Sequence, residues 1–150
     1  MGMTIEIKKL NINEVTLFSQ LVKLFEEVFD MKNFKLPAAQ HLQNTLQQEN
    51  FIAFVALLGQ EVAGGMTVYV LNQYYSEKKL AYIFDLAVLP KYQRKGIGTQ
   101  MINFIKSYCK ERDFEEVFVQ ADAIDEYALN FYRSTGISEE EDVRHFYYTL

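Results

Sequence analysis

The chain has 150 residues, 49% of them apolar and 23% charged, with a formal net charge of −5. That length supports one core without covalent staples, so a single domain over residues 1–150 is expected, with an ordinary globular composition. The acidic balance argues against a duplex nucleic-acid binder, which carries a basic face; the small cluster Lys91, Arg94 and Lys95 suits a single anionic ligand instead.

In chain order, Thr4 to Lys8 alternates as a first strand. Asn13 can cap a helix on which Val15, Phe18, Leu21, Val22, Phe25 and Phe29 recur at helical spacing. Pro37 suits the first turn of a second helix, with Leu42 and Leu46 one turn apart. Phe51 to Leu58 is an apolar run too short to favour a helix. Gly59-Gln60 is a tight turn, and Glu61 to Leu71 returns as a strand. Its Gly64-Gly65 pair predicts a bulge or a close backbone approach. Asn72 to Lys79 is a loop, and Leu80 to Leu89 is a third long apolar run broken by Asp85 and ended by Pro90.

Gly96 to Arg112 reads as a helix with Ile97, Met101, Ile105, Tyr108 and Cys109 on one stripe. Glu116 to Ala121 is a strand, Asp125 to Thr135 a helix stopped at Gly136, and Val143 to Thr149 a closing strand. The order β-α-α-β-β-β-α-β-α-β predicts an α+β fold, a mixed, mostly antiparallel sheet flanked by helices. One parallel crossover follows the third long strand.

Gln93-Arg94-Lys95-Gly96-Ile97-Gly98 follows a buried strand and opens a helix. The first turn of a helix offers free N–H groups and the positive end of its dipole, which receive an anion. Glycines clear the backbone for phosphate oxygens, and Arg94 and Lys95 supply charge. A Walker loop needs a different glycine spacing followed by Lys-Ser/Thr. A dinucleotide fingerprint needs Gly or Ala where Met101 stands. An acyl-CoA loop, Gln/Arg-x-x-Gly-x-Gly/Ala after a strand ending near a proline, is matched at every position. A solvated glycine turn is the bland alternative.

The run Tyr82-Ile83-Phe84-Asp85-Leu86-Ala87-Val88 through Pro90 and Gln93 to Gly98, with Ala128-Leu129-Asn130-Phe131-Tyr132 and Gly136-Ile137, resembles the GNAT superfamily of N-acetyltransferases. Val70-Leu71, Val119-Gln120-Ala121-Asp122 and His145-Phe146 add a similarity to the type I aminoglycoside 3-N-acetyltransferases. The resemblance implies acetyl-CoA as donor, a sheet splayed to admit its pantetheine arm, and a primary amine on a small cationic molecule as acceptor. Polyamines, amino sugars other than aminoglycosides, peptide amines and a non-catalytic acyl-CoA sensor are the alternatives.

On the same ground the cofactor site comprises Leu86, Ala87, Val88, Gln93, Arg94, Lys95, Gly96, Ile97, Gly98 and Thr99. The Val88 N–H is expected to serve the oxyanion, and Tyr132 matches the family's general acid. Asp85, the lone charge in its run, is expensive to bury unpaired; it is either a base or amine anchor, or a structural residue with an internal partner. Asp122, Asp125 and Glu126 lie at a strand-to-helix passage and are expected to bind the acceptor. Glu139 to Asp142 extend this acidic rim or form a solvated turn. Asp125 departs from the superfamily, where Asn is common.

Cys109 reads as a packing residue on its stripe, His41 as a surface residue, and His145 as structural or facing the cleft. With two histidines and one cysteine no metal site is expected. The lone cysteine fits a reducing compartment. The start Met1-Gly2-Met3-Thr4 lacks a signal-peptide pattern, and no apolar run nears the roughly 20 residues that cross a bilayer. The expectation is a cytoplasmic protein with no membrane partner. A homodimer is left open by the aromatic segment Phe146-Tyr147-Tyr148.

Overall fold

The structure is a computed structural model that describes residues 4–150. Met1-Gly2-Met3, on which the signal-peptide reading rests, lie outside the described residues. The chain divides after Val119 into two compact units.

The first unit holds β1 (Ile5–Lys9), α1 (Val15–Phe29), α2 (Ala39–Gln47), β2 (Phe51–Leu58), β3 (Glu61–Leu71), β4 (Leu80–Val88), a 3-10 turn (Pro90–Tyr92), α3 (Ile97–Glu111) and β5 (Glu116–Val119). The sheet order follows the sequence, β1-β2-β3-β4-β5. The first three pairings are antiparallel, and the α3 crossover makes β4–β5 parallel. This is the expected α+β architecture of a mixed, mostly antiparallel sheet.

Alternation along β2 splits the core between the two faces of the sheet. Phe51, Ala53 and Val55 pack with Phe18, Leu21, Leu24 and Phe25 of α1 and Leu42 of α2. Phe54 turns to the other face, where its ring meets Phe104 and Tyr108 of α3 at 5.6 Å each. The glycine pair satisfies both sequence readings. The β2–β3 register slips at Ala56/Leu57, leaving Ala63 as the extra residue. A Cβ on Gly65 would sit 2.4 Å from Leu21 Cδ1 and 2.6 Å from the Phe54 carbonyl, so α1 comes this close to the sheet because Gly65 has no side chain.

Some local expectations shift. Glu14, not Asn13, is the N-cap of α1; the Asn13 N–H donates to Asn11 Oδ1, and Glu14 Oε1 accepts from the Asn11 N–H. Pro37 precedes α2, which starts at Ala39. Cys109 is buried, as expected, and burial pushes its thiol up to about 11, which makes it an inert packing group at neutral pH.

The second unit, Gln120–Leu150, contains α4 (Glu126–Arg133). The helix ends before Gly136, which takes a left-handed φ of +75°. The predicted closing strand over residues 143–149 is not formed: no ladder includes it, and Val143, Phe146, Tyr147 and Tyr148 are exposed. Aromatic and β-branched residues make a segment competent to be a strand, but a strand exists only once a neighbour supplies the ladder. Among the described residues no helix is long and apolar enough to cross a membrane.

Candidate active site

Asp85 is placed by a defect in β4. Thr67 of β3 pairs with Asp85 while Val68 pairs with Ile83, so Phe84 is an extra residue. Such a bulge re-aims the side chains beside it. Directly opposed residues point to one face, so Asp85, Thr67 and Ala53 share the face that carries α1 and α2. The Asp85 side chain is partly buried and makes no hydrogen bond or ion pair among the described residues. Burial alone raises its carboxyl above the ordinary carboxylate range. The internal salt bridge that would have made it a structural residue is therefore absent from the described residues.

Thr67 was missed by the sequence reading. It is 7% exposed, and its Oγ1 is buried without a hydrogen-bond partner among the described residues. A buried hydroxyl of this kind carries a desolvation cost of about 1–3 kcal/mol. Nothing in the sequence marks it, because its position opposite Asp85 depends on the bulge.

β4 also presents an open backbone edge. The Leu89 N–H donates to the Ala63 carbonyl at 2.9 Å. From that bond and the antiparallel register, alternation turns the polar groups of Ala87 toward Gly65 of β3 and those of Leu86 and Val88 away from it. β5 pairs only with Leu80 to Ile83. The N–H groups of Leu86 and Val88 therefore lie on the stretch of edge that β5 leaves uncovered. Ala87 carries its backbone into the ladder instead, which separates it from the two residues with which it was grouped.

The glycine loop begins where this edge ends. Gln93 Nε2 donates to the Val88 carbonyl at 2.9 Å, tying the loop to the last residue of β4. Arg94 adopts a left-handed φ of +62°, and Gly96, the N-cap of α3, has φ +84°. The Gln100 N–H reaches the Gly96 carbonyl at 3.0 Å, so Ile97, Gly98 and Thr99 supply first-turn N–H groups without intrahelical acceptors. Ile97 is buried and anchors the helix start, whereas Arg94, Lys95, Gly96 and Thr99 are exposed. Lys91 drops out of the basic cluster, since it pairs with Glu61 at 3.0 Å. Arg94 and Lys95 make no ion pair among the described residues. Backbone donors, two cations and an unobstructed glycine fit a pyrophosphate.

Gly96 offers a direct test. No atom lies within 4 Å of where its Cβ would be, so a substitution meets no clash, only an unfavourable φ. Gly96→Val should therefore weaken binding of a pyrophosphate-bearing ligand about tenfold or more by calorimetry, since a β-branched residue at positive φ costs roughly 1–3 kcal/mol. Gly96→Ala should fall between wild type and Val.

The remaining predicted residues belong to the second unit. Tyr132 is on α4, its ring 5.0 Å from that of Phe131, and its carbonyl accepts from Thr135 Oγ1. Asp125 is the N-cap of α4, its Oδ1 accepting from the Ala128 N–H at 3.1 Å. Capping accounts for the aspartate where the superfamily favours asparagine, since either residue caps well. Glu126 occupies the first turn and Asp122 precedes the helix. In the acidic run, Glu140 forms a bidentate pair with Arg133 at 2.9 and 2.7 Å. His41 is exposed, and His145 stacks on Tyr147 at 4.4 Å.

Comparison with known proteins gives this arrangement its class. The family model "Acetyltransferase (GNAT) family" matches residues 16–137, and the chain belongs to that family. Among solved structures, the aminoglycoside acetyltransferase meta-AAC0020, from an uncultured soil metagenomic sample and in complex with trehalose, is 56% identical with a TM-score of 0.96. The match covers 97% of this chain and 96% of that one. The same protein has been solved with sisomicin. Aminoglycoside acetyltransferase HMB0005, also from an uncultured soil metagenomic sample, is 33% identical over 99% of each chain, with a TM-score of 0.91. N-alpha-acetyltransferase 30 of Xenopus laevis is 30% identical over 64% of this chain, which spans only 35% of that relative's length.

Proposed function

We propose that this chain is an acetyl-CoA-dependent N-acetyltransferase whose acceptor is a primary amine of a small cationic molecule, an aminoglycoside. The observation that carries the donor half is the continuity of the open β4 edge at Leu86 and Val88 with the Gly96 loop through the Gln93–Val88 bond. The 56% identity to an aminoglycoside acetyltransferase along 97% of this chain supports the acceptor half. Bound acetyl-CoA would supply an acetyl thioester; the N–C bond forms as the C–S bond breaks.

Each residue then has a bounded task. First-turn N–H groups of α3 with Arg94 and Lys95 hold the pyrophosphate. The Val88 N–H donates to the carbonyl oxygen as negative charge develops there, a task suited to a fixed backbone donor. Asp85 anchors the acceptor ammonium or takes its proton. Tyr132 returns a proton to the departing thiolate as the C–S bond breaks. Asp122 and Glu126 add negative charge for a polycation, and Asp125 chiefly holds α4. The two units act as one acetyltransferase domain, a reading supported by a family match that runs through both. We place the protein in the cytoplasm, where acetylation would confer aminoglycoside resistance, and leave a homodimer open, to be read by light scattering.

A peptide α-amine is the second reading, favoured by the N-alpha-acetyltransferase relatives. Thiol release from acetyl-CoA, followed across sisomicin, spermidine, glucosamine and a short peptide, separates the readings. Turnover greatest with sisomicin supports the proposal. Turnover greatest with the peptide replaces the acceptor, and CoA binding without release for any amine makes the chain a sensor.

A further inference from the structure

The bulge does more than turn Asp85. Its extra residue, Phe84, is 55% exposed although it lies in a strand whose neighbours Ile83 and Ala87 are buried. Its ring is held edge-on by Tyr69 at 5.5 Å and Tyr82 at 5.9 Å, and Tyr82 stacks on Phe118 at 4.7 Å. Tyr69 also meets Phe51, which places Phe84 on the Asp85 face of the sheet. An exposed ring is thus fixed next to a carboxylate and a buried hydroxyl, Thr67 Oγ1, neither of which has a partner among the described residues.

A loose phenylalanine would mean little, since single exposed apolar residues are common. A ring braced by two others has lost its rotamer freedom before any ligand arrives, so less ordering cost is left for binding. Ring and carboxylate side by side complement a molecule with one apolar face and one cationic substituent. A sugar ring bearing an ammonium has that form: its C–H face covers the aromatic ring while the cation meets Asp85. A flexible linear polyamine offers the cation without the face.

We infer that Phe84 is a specificity residue that seats a saccharide ring of the acceptor and selects cyclic amino sugars over linear amines. This rests on the acceptor reading above. The test compares wild type, Phe84→Ala and Phe84→Tyr. Because Phe84 is exposed, both variants should fold, which thermal melting checks. Phe84→Ala should raise the KM for sisomicin about tenfold, the scale of one aromatic contact of about 1.4 kcal/mol. The loss for spermidine should be at least about fivefold smaller, and Phe84→Tyr should recover most of the sisomicin KM.

Equal losses for sisomicin and spermidine, no loss for either, or a changed molecular mass in Phe84→Ala without this split would overturn the inference. Trehalose, a neutral disaccharide, separates the two readings. Saturation-transfer NMR should show it on wild type and not on Phe84→Ala. That result with no turnover of sisomicin would sink the aminoglycoside acceptor and leave the saccharide seat standing. Trehalose signals equal in wild type and Phe84→Ala, or absent from both, would sink the seat itself.

Discussion

Replacing Asp85 with asparagine is expected to lower kcat/KM for the amine about 100-fold while making the folded protein more stable at neutral pH. The two effects share one cause. Burial raises the Asp85 carboxyl in the folded state, and no partner among the described residues offsets it. A carboxyl raised on folding binds its proton more tightly when folded. Its ionisation therefore costs no stability below the ordinary carboxylate range, and the cost grows as pH rises through the raised value. Asparagine removes that cost. Asp85→Asn should therefore melt higher than wild type at pH 7. At a pH below about 3.9, where the carboxyl is protonated folded or unfolded, the gain should vanish.

The activity loss follows from needing the ionised form, whether as base or anchor. The wild-type rate should have an acid limb above the usual aspartate range, and Asp85→Asn should flatten it. A loss in KM alone would mark an anchor, and a loss in kcat a base. Unchanged kinetics across pH, with the stability gain present, would make Asp85 a structural liability without catalytic use.

The second large effect is expected at Tyr132. Tyr132→Phe should lower kcat about 100-fold or more, the usual scale for a positioned acid, with KM for acetyl-CoA and for the amine within a few-fold of wild type. The phenol oxygen is all that is lost, and Phe packs in the same helical position beside Phe131. Because product release can mask chemistry, the comparison belongs in single-turnover kinetics. A single-turnover rate close to wild type would remove Tyr132 from proton delivery.

Much of this architecture is written locally in the chain. The β2 and β3 boundaries, Phe51–Leu58 and Glu61–Leu71, coincide with the apolar runs and the turn at Gly59. The loop was legible for the same reason: Gly96 sits at φ +84° at the mouth of α3, a conformation glycine accepts at no steric cost. A turn, a cap or an amphipathic stripe depends on residues a few positions apart, so adjacent letters suffice to specify it.

The proposed acceptor side was different. Asp85 drew notice as a charge in an apolar run, but Thr67 lies 18 positions earlier in the chain and became its neighbour only through the register. Phe84 is one letter of that apolar run, and only the bulge places its ring outside. Ala87 separated from Leu86 and Val88 because ladder alternation, which spacing alone does not reveal, decides which amides face an open edge. Residues 143–149 show the same limit from the other direction, with strand composition and no ladder. The sequence by itself thus determined the family's loop, the helices and the strands of the first unit, because these are short-range preferences of the chain. Tertiary structure alone decided which backbone groups stay open and which side chains meet. Register and pairing are interactions between distant segments, and a one-residue bulge is enough to change their outcome.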